Sequence, residues 1–298
     1  MQSEDLDALA DLIAERALAR MNAKRVGGEE PCTAGSSPQA CDSGGCTPCT
    51  GRSNCGPRLL ADMGAARVGT VLGEQRSSGD IASHIDHTLL KPDATPEEVA
   101  KLCAEARQHH FATVCVNSGM VGTAARLLAG SSVKAIAVVG FPLGAAVTGA
   151  KAFEAREAVR CGAQEIDMVL NIGALKGKDY GYVQEDIAAV VRASAPRPVK
   201  VILETNLLSQ EEKIIACALS KCAGAAFVKT STGFSGGGAT AEDVTLMRRV
   251  VGPEMGVKAS GGIRSTEDAQ KMLAAGADRL GASASVAIVT GQKSNAKY

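Results

Sequence analysis

The sequence predicts an α/β protein built as a (β/α)₈ barrel, preceded by an N-terminal amphipathic helix and a flexible Cys/Gly-rich linker. From about residue 81, short strand patterns alternate with helix patterns, and eight such pairs fit within residues 81–298. The strand patterns are near-continuous runs of Val, Ile and Ala, as expected for parallel strands that are buried on both faces. Because no glycine-rich turn of the dinucleotide-binding type follows the first strand, a TIM barrel is favoured over an open doubly wound sheet.

The chain is expected to have three parts. Residues 1–22 form an amphipathic helix, because apolar side chains recur there at helical spacing. The apolar stripe of this helix comprises Leu6, Leu9, Ile13, Ala17, Leu18 and Met21. Residues 23–57 are rich in Gly, Ser, Pro, Thr and Cys and almost free of large apolar residues, which indicates a linker. Residues 58–298 make the barrel, and a helix-like segment leads into it.

Eight strands are predicted within the barrel, with helices between them. The strands are expected at residues 85–90, 112–117, 134–141, 165–171, 199–204, 226–230, 256–260 and 279–281. The helical stretches include residues 96–109, 148–161, 185–193, 210–221, 241–250 and 266–275. Thr95 and Ser265 are expected to cap two of these helices, because Pro or acidic residues fill the first turn that follows each.

Composition argues against two classes of function. The 32 basic and 32 acidic side chains balance, so no overall field attracts nucleic acid or an anionic membrane. No apolar run is long enough to span a bilayer. Acidic residues such as Glu4, Asp5 and Asp7 stand where a signal peptide would carry positive charge, so we expect a cytoplasmic protein.

The ten cysteines fall into two groups. Five are scattered through apolar strand or helix patterns, where a reduced cysteine packs as a small hydrophobe. The other five crowd the linker, and Cys41, Cys46, Cys49 and Cys55 are close enough in sequence to hold Zn²⁺ or an iron–sulfur cluster. The spacing differs from that of a zinc ribbon and the linker has no histidine, so a redox-sensitive linker without metal is the alternative.

Asp167, Lys229 and Lys258 are ionisable residues that lie inside predicted strands. Charge is costly in a protein core unless it is paired or its pKa is shifted. One such residue would favour a structural ion pair or a strand end that reaches the surface. Three of them, on strands four, six and seven, indicate a site at the carboxyl ends of the strands, where barrel enzymes carry their chemistry.

Two lysines on adjacent strands suggest amine chemistry. An ordinary lysine is protonated at neutral pH and cannot attack a carbonyl. A neighbouring ammonium and partial burial both lower the pKa, which produces a free amine able to form a Schiff base. The turns that follow the last strands are rich in Gly and Ser, and such turns bind phosphate through backbone N–H groups. The candidate binding residues in these turns are Thr230, Gly262, Gly281 and Ser283.

Four segments together resemble the deoxyribose-phosphate aldolases, and the resemblance covers roughly residues 81–290. These segments are residues 85–90 (IDHTLL), 165–169 (EIDMV), 227–234 (FVKTSTGF) and 257–264 (VKASGGIR). The resemblance implies reversible cleavage of the sugar phosphate 2-deoxy-D-ribose 5-phosphate into D-glyceraldehyde 3-phosphate and acetaldehyde, without a metal or organic cofactor. It implies that Lys229 forms the Schiff base, that Lys258 lowers the pKa of Lys229, and that Asp167 relays protons with a bound water.

The same resemblance gives weaker assignments around this centre. Asp86 and Thr88 are expected to line the substrate end of the first strand. Cys115 is expected near the site, although packing in the core explains this residue equally well. Lys200 and Glu204 are expected to form an ion-pair network that supports the lysines.

The N-terminal extension resembles the encapsulation peptides that direct enzymes into bacterial microcompartments. An amphipathic helix of this kind docks its apolar stripe into a groove of a partner, here a shell protein. A self-docking arm or an oligomerisation helix is the alternative, and a homo-oligomer is compatible with either. For the whole chain, two other functions stay open: another Schiff-base aldolase acting on a related sugar phosphate, and a non-catalytic microcompartment scaffold.

Overall fold

A computed structural model of the chain describes residues 81–292, in which eight parallel strands close into one barrel in sequential order. The strands are β1 (Ile85–Leu89), β2 (Thr113–Asn117), β3 (Lys134–Val139), β4 (Glu165–Val169), β5 (Val199–Ile202), β6 (Phe227–Lys229), β7 (Gly256–Ser260) and β8 (Arg279–Ala282). The predicted (β/α)₈ barrel is therefore confirmed.

Helices follow the strands around the outside of the barrel. They are α1 (Pro96–Gln108), α2 (Val121–Leu127), α3 (Thr148–Arg160), α4 (Ile172–Lys176), α5 (Tyr180–Ser194), α6 (Gln210–Cys222), α7 (Ala241–Val251), α8 (Thr266–Ala274) and α9 (Ser285–Thr290). Thr95 and Ser265 each accept a hydrogen bond from the third residue of the helix they precede, in a capping box. Both predicted N-caps are confirmed.

The two faces of the strands build two different layers. Side chains that point outward, such as Val114, Ala137 and Ile166, join the main apolar core between the strands and the helices. A smaller apolar cluster of Leu90, Cys115, Ile136 and Val138 occupies the alternate positions near the first three strands. At the alternate positions of β4 to β8 the buried side chains are mostly charged. The interior of the barrel therefore has an apolar side and an ionic side.

Three of the predicted parts fall outside the described residues. These are the helix at residues 1–22, the linker at residues 23–57 with Cys41, Cys46, Cys49 and Cys55, and the helix-like segment at residues 58–80. Within residues 81–292, none of the helices combines the length and the apolar character that a membrane span requires.

Candidate active site

The two predicted lysines lie side by side in the barrel. Lys229 is the last residue of β6, Lys258 is the middle residue of β7, and the two are directly paired in the register of these strands. Both side chains are buried, with Lys229 only 1% exposed. Since parallel strands of a barrel end on the same rim, the amine of Lys229 lies near the carboxyl end, where these folds carry their chemistry.

Asp167, the middle residue of β4, joins the lysines from across the interior. Its Oδ2 atom accepts hydrogen bonds from Nζ of Lys229 at 3.1 Å and from Nζ of Lys258 at 2.8 Å. Its Oδ1 atom accepts a third bond, at 3.0 Å, from Nζ of Lys200 on β5. The three residues that the sequence singled out by charge therefore form one connected group.

A second carboxylate, Asp86 on β1, lies on the other side of Lys258. Nζ of Lys258 is 2.5 Å from Oδ2 of Asp86, which makes an ion pair whose angles are not those of a hydrogen bond. Oδ1 of Asp86 accepts hydrogen bonds from the Arg279 guanidinium and from the hydroxyl of Thr113. Because Asp86 is the second residue of its strand, it lies deeper in the barrel than the rim position that the sequence predicted.

The neighbouring charges move the pKa values of the two lysines in opposite directions. Burial and the charge of Lys258 lower the pKa of Lys229 below its ordinary value, against the opposing influence of Asp167. Burial acts to lower the pKa of Lys258 as well, but the charges of Asp167 and Asp86 outweigh burial and raise this pKa. The site thus combines an amine that loses its proton more readily than usual with an ammonium that keeps it.

The two aspartates stay ionised because cations surround them. Burial alone would raise the pKa of Asp167, yet the three lysines around it hold this pKa well below its usual range. Burial would likewise raise the pKa of Asp86, and Arg279 and Lys258 lower it. A carboxylate that remains charged at the centre of the group can accept a proton from a bound substrate or water.

Three other predicted site residues have polar groups that are hydrogen-bonded to the backbone or buried. The hydroxyl of Thr88 donates to the backbone carbonyl of Asp86 at 2.8 Å. The hydroxyl of Thr230 donates to the carbonyl of Ser260 at 2.8 Å and accepts from the amide of the same residue. Cys115 is fully buried in the inner apolar cluster, and burial raises the pKa of its thiol to about 11.

The predicted phosphate residues lie in the turns after β7 and at the end of β8. Gly262 has a φ of +77°, which favours glycine, and a side chain there would meet open space on most sides. A Cβ atom at Gly281 would lie 2.5 Å from Oγ of Ser260 and 3.0 Å from Cε of Lys258, so Gly281 makes room for the second lysine. Ser283 is exposed and lines, with Thr88, a surface groove that contains neither Lys229 nor Lys258.

Two charged members of this group were not predicted from the sequence, and a third, Lys200, was predicted with the wrong partner. Glu165 and Arg279 begin β4 and β8, and each sits two residues before a predicted site position on the same strand face. That period of two was the available signal. Lys200 does join the network, but its partners are Glu165 and Asp167, so the predicted pair with Glu204 is wrong.

The barrel holds a buried amine of lowered pKa beside a carboxylate. This combination is suited to enzymes that use a lysine to attack carbonyl compounds. The family model described as "DeoC/LacD family aldolase" matches residues 81–293. The chain belongs to this aldolase family.

Named relatives of the chain are similar over the same region. A deoxyribose-phosphate aldolase of Clostridium perfringens strain SM101 is 58% identical over 219 residues, which cover 73% of this chain and 98% of that protein. One from Brevibacillus brevis is 60% identical over 210 residues, covering 70% of this chain and 95% of that protein. A solved deoxyribose phosphate aldolase of Aeropyrum pernix, described as a unique tetramer, is 36% identical with a TM-score of 0.67 over 72% of this chain and 91% of that one.

Proposed function

We propose that this chain catalyses the reversible cleavage of 2-deoxy-D-ribose 5-phosphate into D-glyceraldehyde 3-phosphate and acetaldehyde. The observation that carries the proposal is the pair of adjacent barrel lysines whose pKa values shift in opposite directions. The substrate is supported by the relatives, which are named for this activity and are 58 to 60% identical. Membership of an aldolase family supports the same reaction type.

In this mechanism Lys229 is the nucleophile. Its neutral amine attacks the aldehyde carbon C1 of the open-chain sugar, and loss of water leaves an iminium ion. A base removes the proton of the C3 hydroxyl, the C2–C3 bond breaks, and its electron pair moves into the iminium to form an enamine. Glyceraldehyde 3-phosphate leaves with the new carbonyl at C3. Protonation of the enamine at C2 and hydrolysis of the resulting imine release acetaldehyde and restore the amine.

Lys258 and Asp167 supply the charge and the protons. Lys258 remains an ammonium and stabilises the neutral form of Lys229 by repulsion. Asp167 contacts both amines and remains a carboxylate, so it can pass protons through a bound water between the C3 hydroxyl, C2 and the leaving water. Asp86 holds Lys258 from the other side.

We assign the phosphate end of the substrate to the turn after β7 and to the end of β8 with the residue that follows it, through Gly262, Gly281 and Ser283. Backbone N–H groups at such turns are suited to an anion. Thr88 and Thr230 are assigned to the neighbouring rim, and Cys115 to the apolar side of the interior. The arrangement would place the sugar between the ionic and the apolar sides of the barrel.

The test is an assay of acetaldehyde release from 2-deoxy-D-ribose 5-phosphate with no added metal and with a chelator present. We expect turnover that also depends on the 5-phosphate, since unphosphorylated 2-deoxyribose lacks the group that the turns bind. A related sugar phosphate cleaved faster than this substrate would indicate another Schiff-base aldolase. Absence of cleavage of any sugar phosphate by the folded protein would support a scaffold.

For the N-terminal part we propose a helix at residues 1–22 that carries the enzyme, from the cytoplasm, into a microcompartment. The support is the helical spacing of the apolar residues and the linker that follows them. Confinement suits a product as volatile and reactive as acetaldehyde. Fusing residues 1–22 to a fluorescent protein should transfer localisation to co-expressed shell proteins, and Leu9→Glu with Ile13→Glu should abolish it. A fusion that stays diffuse contradicts this role.

We also propose that the barrel forms a homo-oligomer. The support is the tetrameric description of the Aeropyrum pernix relative, together with exposed large apolar side chains at Leu143, Val147 and Phe153. Light scattering coupled to size exclusion should give a mass that is a multiple of 30.4 kDa. A monomeric mass at micromolar concentration would contradict this proposal.

A further inference from the structure

Strand β5 ends in a bulge beside the lysine strand. The amide of Leu203 donates to the carbonyl of Lys229 at 2.9 Å, and the amide of Thr205 donates to the next carbonyl, Thr230, at 3.1 Å. The step from Leu203 to Thr205 spans two residues, whereas the step between their partners, Lys229 and Thr230, spans one. Glu204 is therefore the extra residue of the bulge. Glu204 has left-handed backbone angles (φ 58°, ψ 59°), which residues other than glycine rarely adopt.

The bulge directs a buried carboxylate onto the loop after Lys229. Glu204 is fully buried, and its carboxylate accepts from the amide of Thr232 at 3.2 Å and from the hydroxyl of the same residue. Among the described residues, no cation forms an ion pair with Glu204. Left-handed backbone angles at a residue other than glycine and a buried carboxyl group without an ion-pair partner both cost stability, and such features concentrate at functional sites.

Thr232 connects the carboxylate of Glu204 to the loop at the rim of the barrel. Its hydroxyl donates to Glu204 and also accepts from the amide of Phe234 at 3.0 Å, so it links Glu204 to the backbone of the loop. The ring of Phe234 meets the ring of Phe141 edge-to-face, with centroids 5.2 Å apart. Phe141 in turn packs on the inner apolar cluster near the first three strands. The loop after β6 is therefore held against the opposite side of the barrel.

We propose that Glu204 and Thr232 form a clamp that positions the loop between β6 and α7 for substrate binding, without taking part in the chemistry at Lys229. The reacting group is held separately, since Lys229, Lys258 and Asp167 bond to one another and not to the clamp. Loss of the clamp should therefore weaken binding more than turnover. This inference rests on the proposed function.

The experiment compares substitutions that remove the clamp with conservative ones that keep it. Glu204→Met and Thr232→Val should raise KM for 2-deoxy-D-ribose 5-phosphate roughly tenfold, with kcat within about threefold of wild type. Glu204→Gln and Thr232→Ser retain an acceptor and a hydroxyl, so they should recover most of the affinity. The double variant Glu204→Met/Thr232→Val should be no worse than either single one, because the two residues act as a unit.

Thr205→Val is the matched control. Thr205 is next to Glu204 and is buried, and its hydroxyl has no hydrogen-bond partner among the described residues, so KM should stay at the wild-type value. Glu204→Met leaves the buried amide and hydroxyl of Thr232 without an acceptor, so its Tm should fall below that of wild type, and Glu204→Gln should recover most of the loss. A purely structural role would lower Tm without changing KM, so a lower Tm with reduced kcat and unchanged KM would overturn the proposal.

Hydrogen exchange tests the clamp independently of activity. The amides of Thr232 and Phe234 should lose protection in Glu204→Met and keep it in Thr205→Val. Failure of the wild-type enzyme to cleave the substrate would refute the proposed function. The exchange data would still show whether Glu204 holds the loop in place. Active wild type with unchanged KM and unchanged exchange in Glu204→Met would refute the clamp alone.

Discussion

Lys229 and Lys258 differ in their surroundings and not in their chemistry. Both are buried, but Lys258 has two carboxylates against it, whereas Lys229 has one carboxylate and a neighbouring ammonium. Burial and repulsion therefore prevail at Lys229, and attraction prevails at Lys258. The proposed division into nucleophile and activator follows from which strand each lysine occupies.

Replacing Lys258 by Leu should move the activity of the enzyme to higher pH. The substitution removes the repulsion that lowers the pKa of Lys229, so this pKa rises and fewer amines are neutral at pH 7. We expect kcat/KM at neutral pH to fall roughly tenfold for each unit of rise, with partial recovery in alkali. Lys213→Met, which breaks an ion pair with Asp243 outside the interior, is the control. A pH–rate profile identical to that of wild type would refute the role of Lys258.

Asp167→Asn should move the same profile in the opposite direction. Asp167 raises the pKa of Lys229, so its removal lowers this pKa further and shifts the acid limb of the profile to lower pH. The rate itself should fall roughly 10²-fold or more, because the proton relay is lost. Measurement of kcat from pH 5 to 9 checks both effects. A rate within threefold of wild type would exclude Asp167 from proton transfer.

The sequence pointed to the reactive residues but not to their full surroundings. Charge inside strand patterns identified Asp167, Lys229 and Lys258, since a buried charge is unusual wherever it occurs. Glu165 and Arg279 begin their strands, where a charged residue is ordinary, so only their spacing of two from Asp167 and Gly281 marked them as members of the interior network. Their role depends on which strands adjoin after the barrel closes, which no local pattern records.

The presence of the strands and of the longer helices could be predicted from the sequence, whereas the residues at which several strands end could not. The third strand was expected to reach residue 141 and stops at Val139, because Gly140 has a positive φ that breaks the ladder. The fifth was expected to reach Glu204 and stops at Ile202, ahead of the bulge. The failed pairing of Lys200 with Glu204 has the same cause, since positions four apart share a face only in a regular strand. Short helices such as α2 and α4 span too few turns to show a period.

Gly281 of β8 is expected to tolerate no side chain. A Cβ atom there would contact Ser260 and the aliphatic chain of Lys258, so Gly281→Ala should displace the second lysine. We expect kcat/KM to fall roughly tenfold and stability to fall by about 1–3 kcal/mol. Gly149→Ala in α3 is the matched control, because a Cβ there would meet nothing within 4 Å. Wild-type activity in Gly281→Ala would show that Lys258 can shift without consequence.

The whole barrel divides its interior between an apolar cluster near β1 to β3 and an ionic network that lies mainly on β4 to β8 and includes Asp86 of β1. This arrangement keeps the amine of Lys229 in a buried, charged environment while an apolar surface faces it. The site and the main core are therefore built by opposite faces of the same strands, and the residues named for both lie within residues 81–292.

Deletion of residues 1–57 should accordingly leave the catalytic activity intact. All residues assigned to the site lie between Asp86 and Ser283, so kcat/KM should stay within about threefold of wild type. The same deletion should abolish co-purification with shell proteins if the amphipathic helix is a docking tag. The truncated and full-length proteins should be compared at equal concentration of folded protein. Loss of activity on truncation would assign the segment to the enzyme's own fold.

Trapping the imine is the most direct test of whether Lys229 forms a Schiff base. Borohydride added with acetaldehyde should reduce the imine to a stable ethyl-lysine and inactivate the enzyme. Peptide mass mapping should find one ethyl group (about 28 Da) on Lys229. Lys229→Leu should give no adduct and no activity at any pH. An adduct on Lys258 or Lys200 instead, or undiminished activity after treatment, would contradict the mechanism.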